Sequence, residues 1–163
     1  MNGMNNSQLI CKPLTELADI ERVQKNKIYP AGTIYVQVSA CRKGTEKIWN
    51  IMRSTGMLED KYAVVIPRVS VIPRYFSIAL ENVTDEWMHR YVGSSINISM
   101  ELFKYLKVAY HPDYKDQCRV LAVLDPIQDA IDDIEARIEL EQEAKNWFLE
   151  KMIASCTGAT IQK

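Results

Sequence analysis

Apolar side chains recur along the last third of the chain at alternating intervals of three and four residues. This spacing keeps one stripe of an α-helix facing a partner. Glu141 and Lys145 interrupt the stripe, and polar residues in a helical seam lower stability while disfavouring wrong registers. The pattern therefore predicts a long helix with a dimer interface formed by Leu124, Ile127, Ile131, Ile134, Ile138, Phe148 and Met152.

The start of this helix is predicted from the segment Asp125-Pro126-Ile127-Gln128. Asp can cap free backbone amides, Pro fits the first helical position, and Gln sits three residues after the cap. The thirty residues from Pro126 to Ser155 contain no further Pro or Gly, which gives a rod of about 45 Å at 1.5 Å per residue. We place a helical dimerisation arm at residues 115–155 and a tail at 156–163. The alternative is a helix packed only on its own domain, but the isoleucine stripe is longer than a small domain could cover.

Residues upstream of the arm show short patterns of both secondary-structure types. Strands are predicted over 33–39, 62–66, 96–98 and 108–110. Helices are predicted from Pro73 through Leu80, from Thr84 to Gly93, and as a turn over 99–106. This mixture indicates an α+β protein, with an irregular mixed domain at residues 13–114 followed by a long C-terminal coiled-coil helix. A flexible N-terminus is expected at residues 1–12.

Charge is divided unequally between the two predicted parts. The 163 residues carry a net charge of −1 with a pI of about 6.1, which argues against a generic nucleic-acid binder. Residues 1–114 contain fourteen Lys and Arg against eleven Asp and Glu, a net charge of +3. Residues 115–163 contain six against ten, a net charge of −4. A mildly basic domain thus precedes a helix whose acidic outer face repels DNA phosphates.

Neither a metal centre nor a catalytic site is indicated by the motifs. The cysteines, at positions 11, 41, 118 and 156, form no C-x-x-C pair, and His89 and His111 are the only histidines. The common phosphate-binding, zinc-protease and nucleophile-elbow motifs do not occur. The sequence shows no secretory signal and no apolar run of spanning length, which predicts a cytoplasmic protein with free thiols and no membrane partner.

A basic loop after the first predicted strand provides the densest set of candidate DNA contacts. Lys and Arg bind phosphates, and Arg, Asn and Gln can read base edges in the major groove. The candidates are Ser39, Arg42, Lys43 and Lys47 of the loop, with Arg53, Lys61, Arg68 and Arg74 elsewhere in the same domain. The alternative is that the loop is simply a solvated basic segment.

A further set of residues spans the end of the predicted domain and the arm. It comprises Leu106-Lys107-Val108-Ala109-Tyr110-His111-Pro112, Asp116-Gln117 with Val120 and Leu124, then Asp125, Ile127, Ile131, Glu135 and Ile138, and finally Lys145, Phe148, Leu149 and Met152. From about Val108 to Ile153 the chain resembles the specificity subunits of type I restriction-modification systems. In that family the segment reads as a proline-containing strand exit, a Glu-Gln or similar pair, and a long helix ending in lysine and leucines.

The sequence departs from this family in three respects. Its strand exit at His111-Pro112 is less proline-rich than usual. Asp116 stands where the family more often has Glu. A full specificity subunit contains two target-recognition domains and two such helices, whereas this sequence shows one of each. The resemblance therefore implies a half-size subunit that restores the usual arrangement as a homodimer with antiparallel helices. Two-fold symmetry would then demand a palindromic bipartite site in double-stranded DNA.

The resemblance also implies which partners would supply the chemistry. Methyl transfer from S-adenosylmethionine would belong to a modification (methyltransferase) subunit, and ATP-driven translocation and cleavage to a restriction subunit. The chain itself would be non-catalytic and would bind no cofactor and no metal. The competing interpretation is a phage- or mobile-element-type regulator or decoy that binds modification or specificity subunits without reading DNA. A small stand-alone enzyme is a third, supported only by scattered polar residues.

Overall fold

The computed structural model of the chain describes residues 8–40, 48–93, 95 and 97–158. The chain divides into two compact units, Met1–Leu121 and Ala122–Lys163. We call the first unit the head and the second unit the arm.

The described elements are short strands and helices followed by one long helix. In order they are β1 (Ile10–Pro13), α1 (Leu14–Leu17), β2 (Ala18–Arg22), β3 (Ile28–Tyr29), β4 (Ile34–Gln37), β5 (Trp49–Ile51), β6 (Gly56–Met57), β7 (Tyr62–Pro67), α2 (Pro73–Trp87), a π-helical segment (Met88–Val92), a 3-10 helix (Met100–Tyr105), β8 (Lys107–Tyr110) and α3 (Tyr114–Gly158). The predicted fold class, an α+β domain followed by a long C-terminal helix, is confirmed.

A four-stranded antiparallel sheet with the order β2-β7-β4-β5 organises the head. Two-stranded pairings of β1 with β8 and of β3 with β6 flank it. Along β4 the buried residues Ile34 and Val36 alternate with the half-buried Tyr35 and Gln37, so one face of the sheet meets the core. The core contains Trp49 of β5 and Phe76 and Leu80 of α2, with Trp87 and Phe103 stacked 5.2 Å apart between ring centroids.

Residues 73–92 form one continuous helical stretch, so the predicted separate helix starting at Thr84 is wrong. Thr84 is buried inside α2, where its hydroxyl donates to the Leu80 carbonyl and accepts the indole N–H of Trp49 at 2.6 Å. The Thr84 hydroxyl thus donates and accepts within the core and does not cap the start of a helix. The stretch does end at Gly93, as predicted, with the left-handed φ of +62° that favours glycine.

The strand predicted over residues 96–98 is not found in the described part of that segment. Asn97 and Ile98 lie outside any strand. The Ile98 N–H instead donates a backbone hydrogen bond to the Val38 carbonyl at 2.8 Å. This bond links the segment to the end of β4.

The long helix begins at Tyr114, eleven residues before the start predicted at Asp125, and Pro126 lies inside it. The Asp113 carboxylate accepts the Lys115 N–H at 2.8 Å and so caps an earlier start that the sequence pattern did not reveal. Pro126 has no N–H to donate to the Ala122 carbonyl and its ring crowds that carbonyl, a cost that the helix absorbs at this position. The 45 residues of α3 extend about 68 Å at 1.5 Å per residue.

The first two turns of α3 belong to the core of the head. Gln117 is fully buried. Its side-chain oxygen accepts the Ile72 N–H at 2.8 Å, and its side-chain nitrogen donates to the carbonyls of His111 at 2.8 Å and Ser70 at 3.3 Å. Val120 and Leu121 pack against the same core. Gln117 therefore joins the start of α3 to the segment before α2 and to the segment after β8.

Candidate nucleic-acid interface

One end of the four-stranded sheet gathers polar side chains that are far apart in the sequence. Antiparallel pairing places the start of β7 between the end of β4 on one side and the end of β2 on the other. Backbone bonds from Val38 and Ser39 to the Lys61 carbonyl hold these chain ends together. We call this surface the loop end and define it by Arg22, Gln37, Ser39, Lys61 and Asn97.

Side-chain hydrogen bonds connect the members of the loop end. Arg22 donates from its guanidinium to the Ser39 hydroxyl at 3.3 Å. Gln37 donates to the backbone carbonyls of Ser39 and Ala40 at 3.0 and 3.1 Å, and Asn97 accepts the Ala40 N–H at 3.2 Å. These contacts fix the backbone that leads into residues 41–47.

Ala40 adopts a left-handed backbone conformation, with φ of +56°. Residues other than glycine rarely occupy this region, and they persist there where neighbouring groups hold the backbone. Gln37 and Asn97 hold it here through the bonds just described. The conformation directs the chain out of β4 into the basic segment 41–47.

Lys61 carries a positive charge at the loop end. Its ammonium group pairs with the Glu59 carboxylate at 2.9 Å and lies 5.1 Å from the centre of the Tyr62 ring. Its hydrogen bond with Glu59, and secondarily the one with Tyr62, raises the pKa of Lys61 above its ordinary value. Glu59 at the same time offsets part of this charge.

The predicted DNA contacts do not all lie together. Ser39 and Lys61 are at the loop end, and Arg42, Lys43 and Lys47 lie outside the described residues, in the segment that joins β4 to β5. The other three lie toward the opposite end of the sheet. Arg53 follows β5, Arg68 follows β7, and Arg74 is in the first turn of α2.

Arg68 is held by its own chain. Its guanidinium forms a two-pronged ion pair with Asp19, with Nε donating to Oδ2 at 2.8 Å, and Nη1 donates to the Thr15 carbonyl at 3.2 Å. The adjacent guanidinium lowers the pKa of Asp19 below its ordinary value. Arg68 thus fastens the start of β2 to the end of β7. The DNA contact predicted for Arg53, Arg68 and Arg74 stays a prediction.

Two members of the loop end, Arg22 and Asn97, were not predicted from the sequence. Arg22 ends a strand that no pattern predicted, and Asn97 lies in a segment interpreted as a strand. Only the pairing of β2 with β7 and the bond from Ile98 to Val38 bring them to Ser39 and Ala40. No local signal encodes such long-range contacts.

The arm exposes the apolar residues predicted for a dimer interface. Ile127, Ile131, Ile134 and Ile138 are 43–59% exposed, and Phe148 and Met152 are exposed by more than 60%. Leu124 is half-buried. Exposed apolar stripes are typical of sites of protein association. The association itself, and the coiled coil, remain predictions.

The described residues form neither a metal-binding cluster nor a membrane-spanning helix. Within residues 8–40, 48–93, 95 and 97–158, no group of three or more His, Cys, Asp or Glu side chains could hold a metal ion. The helices of that same part of the chain include none long and apolar enough to cross a membrane.

Comparison with solved structures identifies the fold. The chain superposes on the S subunit of a type I restriction-modification system from M. genitalium with a TM-score of 0.61 and 12% identity, over 94% of this chain and 48% of that chain. A structure that addresses complex assembly and conformational transition of the type I R-M system gives a TM-score of 0.61 and 16% identity. The match covers 93% of this chain and 46% of that chain. The HsdS subunit from Thermoanaerobacter tengcongensis gives 0.55 and 14%, over 80% and 39%.

The likeness at these identities is one of fold, and it confirms the resemblance expected from the sequence at that level. The chain spans about half the length of the first two structures, with 48% and 46% of their residues covered. No protein-family model matches the sequence, and no curated protein matches it.

Proposed function

We propose that the chain is a half-size DNA-recognition (specificity) subunit of a type I restriction-modification enzyme. The observation that carries this proposal is the shared fold over more than nine-tenths of the chain with type I S-subunit structures. The chain has one head and one long helix, in line with a match that covers about half of each of those structures. In this role the chain reads DNA and catalyses no reaction of its own.

The loop end is the proposed DNA-reading surface. Arg22 and Lys61 supply cations for phosphate oxygens, and Arg22 can also reach guanine in the major groove. The amides of Gln37 and Asn97 are of the type that reads adenine. Arg42, Lys43 and Lys47 follow Ala40 in the sequence, and we assign them to the same proposed surface on that ground.

The arm is the proposed dimerisation element. Its exposed isoleucine stripe needs an apolar partner, and a second copy of the chain offers an identical stripe. A two-fold dimer would present two identical heads, which requires a palindromic bipartite target whose spacing is set by the arm.

Partner subunits would supply the chemistry. A modification subunit docked on the dimer would bind S-adenosylmethionine and methylate adenine within the target, and a restriction subunit could join the same assembly. We place the chain in the cytoplasm, where its DNA target and these partners are available.

A regulator or decoy that binds modification or specificity subunits without reading DNA is the second candidate. The net charge of −1 and the offset of Lys61 by Glu59 favour it, since DNA binding depends on uncompensated cations. The two candidates differ in a single outcome, the appearance of a new methylation motif.

Co-expression with a type I modification subunit, followed by methylome sequencing, tests the proposal. The expected result is a gapped, palindromic methyladenine motif. A chain that joins the modification subunit but yields no motif, or suppresses an existing one, would contradict DNA reading and support the decoy.

The loop end is tested by Arg22→Gln in the purified complex. Each lost phosphate contact flattens the log-log salt dependence of binding by about 0.9, and a lost guanine contact lowers discrimination at one position. The matched control is Arg90→Gln, an exposed head arginine that pairs with Glu86 of its own helical stretch. If both variants bind DNA like the parent, the loop end is not the interface.

A further inference from the structure

A cavity of about 240 Å³ lies in the head, where α2 leads into the π-helical segment. Val83, Trp87 and Leu106 provide its apolar lining, and the last two of these are almost fully buried. The Trp87 ring stacks on Phe103, and its indole N–H donates to the Leu102 carbonyl at 3.1 Å. The apolar lining is therefore held in place by the core, as is usual for small-molecule sites.

Two stacked tyrosines form an aromatic wall of the cavity. The rings of Tyr91 and Tyr105 lie 4.8 Å apart between centroids with an interplanar angle of 6°, and the two residues are 39% and 45% exposed. The Lys104 ammonium lies 5.0 Å from the centre of the Tyr105 ring, on the face that Tyr91 leaves open. Among the described residues, no ring or cation stacks on the second face of Tyr91. A planar ring bound in the cavity can extend the stack there.

The π-helical turn directs Tyr91 into this stack. Its segment is Met88–Val92, and the Gly93 N–H closes it by donating to the Met88 carbonyl at 2.9 Å. A π turn holds more residues than an α-helical turn, so the side chains that follow point in a different direction from those of a continuing α-helix. Such turns occur frequently at functional sites. Their usual association with function is an observation independent of the ring contacts.

Charged groups of both signs line the same cavity. Arg90 donates to one carboxylate oxygen of Glu86 at 2.8 Å, with side chains 63% and 77% exposed. The carboxylate can accept further hydrogen bonds, because its two oxygens offer about four lone-pair sites. Lys107, the first residue of β8, adds an exposed ammonium group. The cavity thus combines an aromatic face, a hydrogen-bond acceptor and a cation.

We propose that this cavity binds a free guanine nucleotide, a function separate from the DNA reading proposed above. The guanine ring stacks on Tyr91, its amino group and ring N–H donate to Glu86, and the phosphate pairs with Lys107. The cavity is smaller than the usual range of about 300–1,000 Å³ for whole ligands. The base therefore enters it, while the ribose and phosphate stay at its mouth.

Other ligands match fewer of these groups. An aromatic side chain of a protein supplies the ring but neither the adjacent pair of donors nor the phosphate. A nucleic-acid strand needs a groove of cations that follows its backbone. Among the described residues that line the cavity, Arg90 is offset by Glu86, which leaves one net positive charge from Lys107. One charge suits a single phosphate group.

Isothermal titration of the purified full chain with three related ligands tests the site. GMP carries all three features, inosine monophosphate lacks the amino group, and guanosine lacks the phosphate. GMP is expected to bind, and each of the other two is expected to bind about tenfold more weakly, because each loses a hydrogen bond or ion pair with a charged group.

Substitutions at the cavity assign each feature to its residue. Glu86→Ala should remove the difference between GMP and inosine monophosphate, and Lys107→Gln should remove the difference between GMP and guanosine. Tyr91→Leu should weaken all three ligands, whereas Tyr91→Phe keeps the ring and should bind like the parent. The matched control is Lys12→Gln on the neighbouring strand β1, where the lysine pairs with Glu16 at 3.9 Å. This control should preserve both differences.

Three outcomes would overturn the proposal. The parent chain could give no binding heat with GMP at millimolar concentration. The affinity for GMP could stay the same in the Glu86→Ala, Lys107→Gln and Tyr91→Leu chains, which would place the ligand elsewhere. A single-stranded oligonucleotide containing guanine could bind more tightly than GMP and displace it, which would replace a free nucleotide with a strand. None of these outcomes bears on the methylation motif, so DNA reading is tested independently.

Discussion

Replacing Gln117 with leucine provides a sharp test of how the head holds the start of α3. The side chain is fully buried and forms three hydrogen bonds, to the backbone groups of Ile72, His111 and Ser70. Leucine fills a similar volume but can make none of them. The substitution therefore removes polar contacts with little change in packing.

The expected loss follows from the three bonds. Each intramolecular hydrogen bond contributes about 0.5–1.5 kcal/mol net, and a partner left buried without a bond costs about 1–3 kcal/mol. The backbone partners of Gln117 are only partly buried, which places the expected destabilisation of Gln117→Leu at about 3 kcal/mol. Single substitutions rarely exceed about 4–5 kcal/mol.

Urea denaturation followed by circular dichroism measures this loss, with all chains at the same concentration because association makes stability concentration-dependent. The matched control is Gln128→Leu on the same helix, where the side chain donates an exposed hydrogen bond to Asp132 at 2.7 Å. That control should change stability by less than about 0.5 kcal/mol. If Gln117→Leu unfolds at the same urea concentration as the parent, the buried amide is not what fastens the helix to the head.

Three further changes probe other parts of the molecule. Ile131→Glu should abolish dimerisation in sedimentation velocity and leave the head folded, because a carboxylate cannot enter an apolar seam. Thr84→Val should lower the free energy of unfolding by about 2 kcal/mol, because the buried indole N–H of Trp49 loses its acceptor. Asp19→Asn should destabilise the chain at neutral pH but not in strong acid. The Arg68 guanidinium lowers the pKa of Asp19 in the folded state, so the stabilisation exists above the ordinary value of 3.8 and disappears as the pH falls through the lowered pKa.

Matched controls accompany these changes. Ala136→Glu adds the same charge to the opposite face of α3 and should leave the dimer intact. Thr55→Val removes only an exposed contact with the Ala31 N–H and should be nearly neutral. A dimeric Ile131→Glu chain, a fully stable Thr84→Val chain, or an Asp19→Asn effect that persists in strong acid would each refute the corresponding reasoning.

Patterns within one element were sufficient to predict much of the fold. The strand over 62–66, the helix from Pro73 and the stop at Gly93 each depend on neighbours a few residues away, and the structure contains all three. The arm was also predicted, because its apolar spacing extends over many turns. Its start was misplaced, since Pro126 resembles a first helical residue and the actual cap at Asp113 lies outside the periodic stretch.

The candidate interface was harder to predict from the sequence. Ser39 and Lys61 were named for their residue types, but their proximity arises from the pairing of β4 with β7. Arg22 and Asn97 join them through contacts across 17 and 57 residues of sequence. Periodicity carries no information on such contacts, and residue type alone could not separate Lys61 from Arg68, which its own chain holds in an ion pair with Asp19.

The burial of Gln117 bears on how such chains could exchange parts during evolution. Gln117, Val120 and Leu121 are covalently part of the long helix but physically part of the head. A recombination event that joined a foreign head at Tyr114 would leave Gln117 facing backbone groups other than those of Ser70, Ile72 and His111. A crossover after Leu121 would transfer the head together with every side chain that closes its core. Viable hybrids should therefore have their junctions two turns inside the helix.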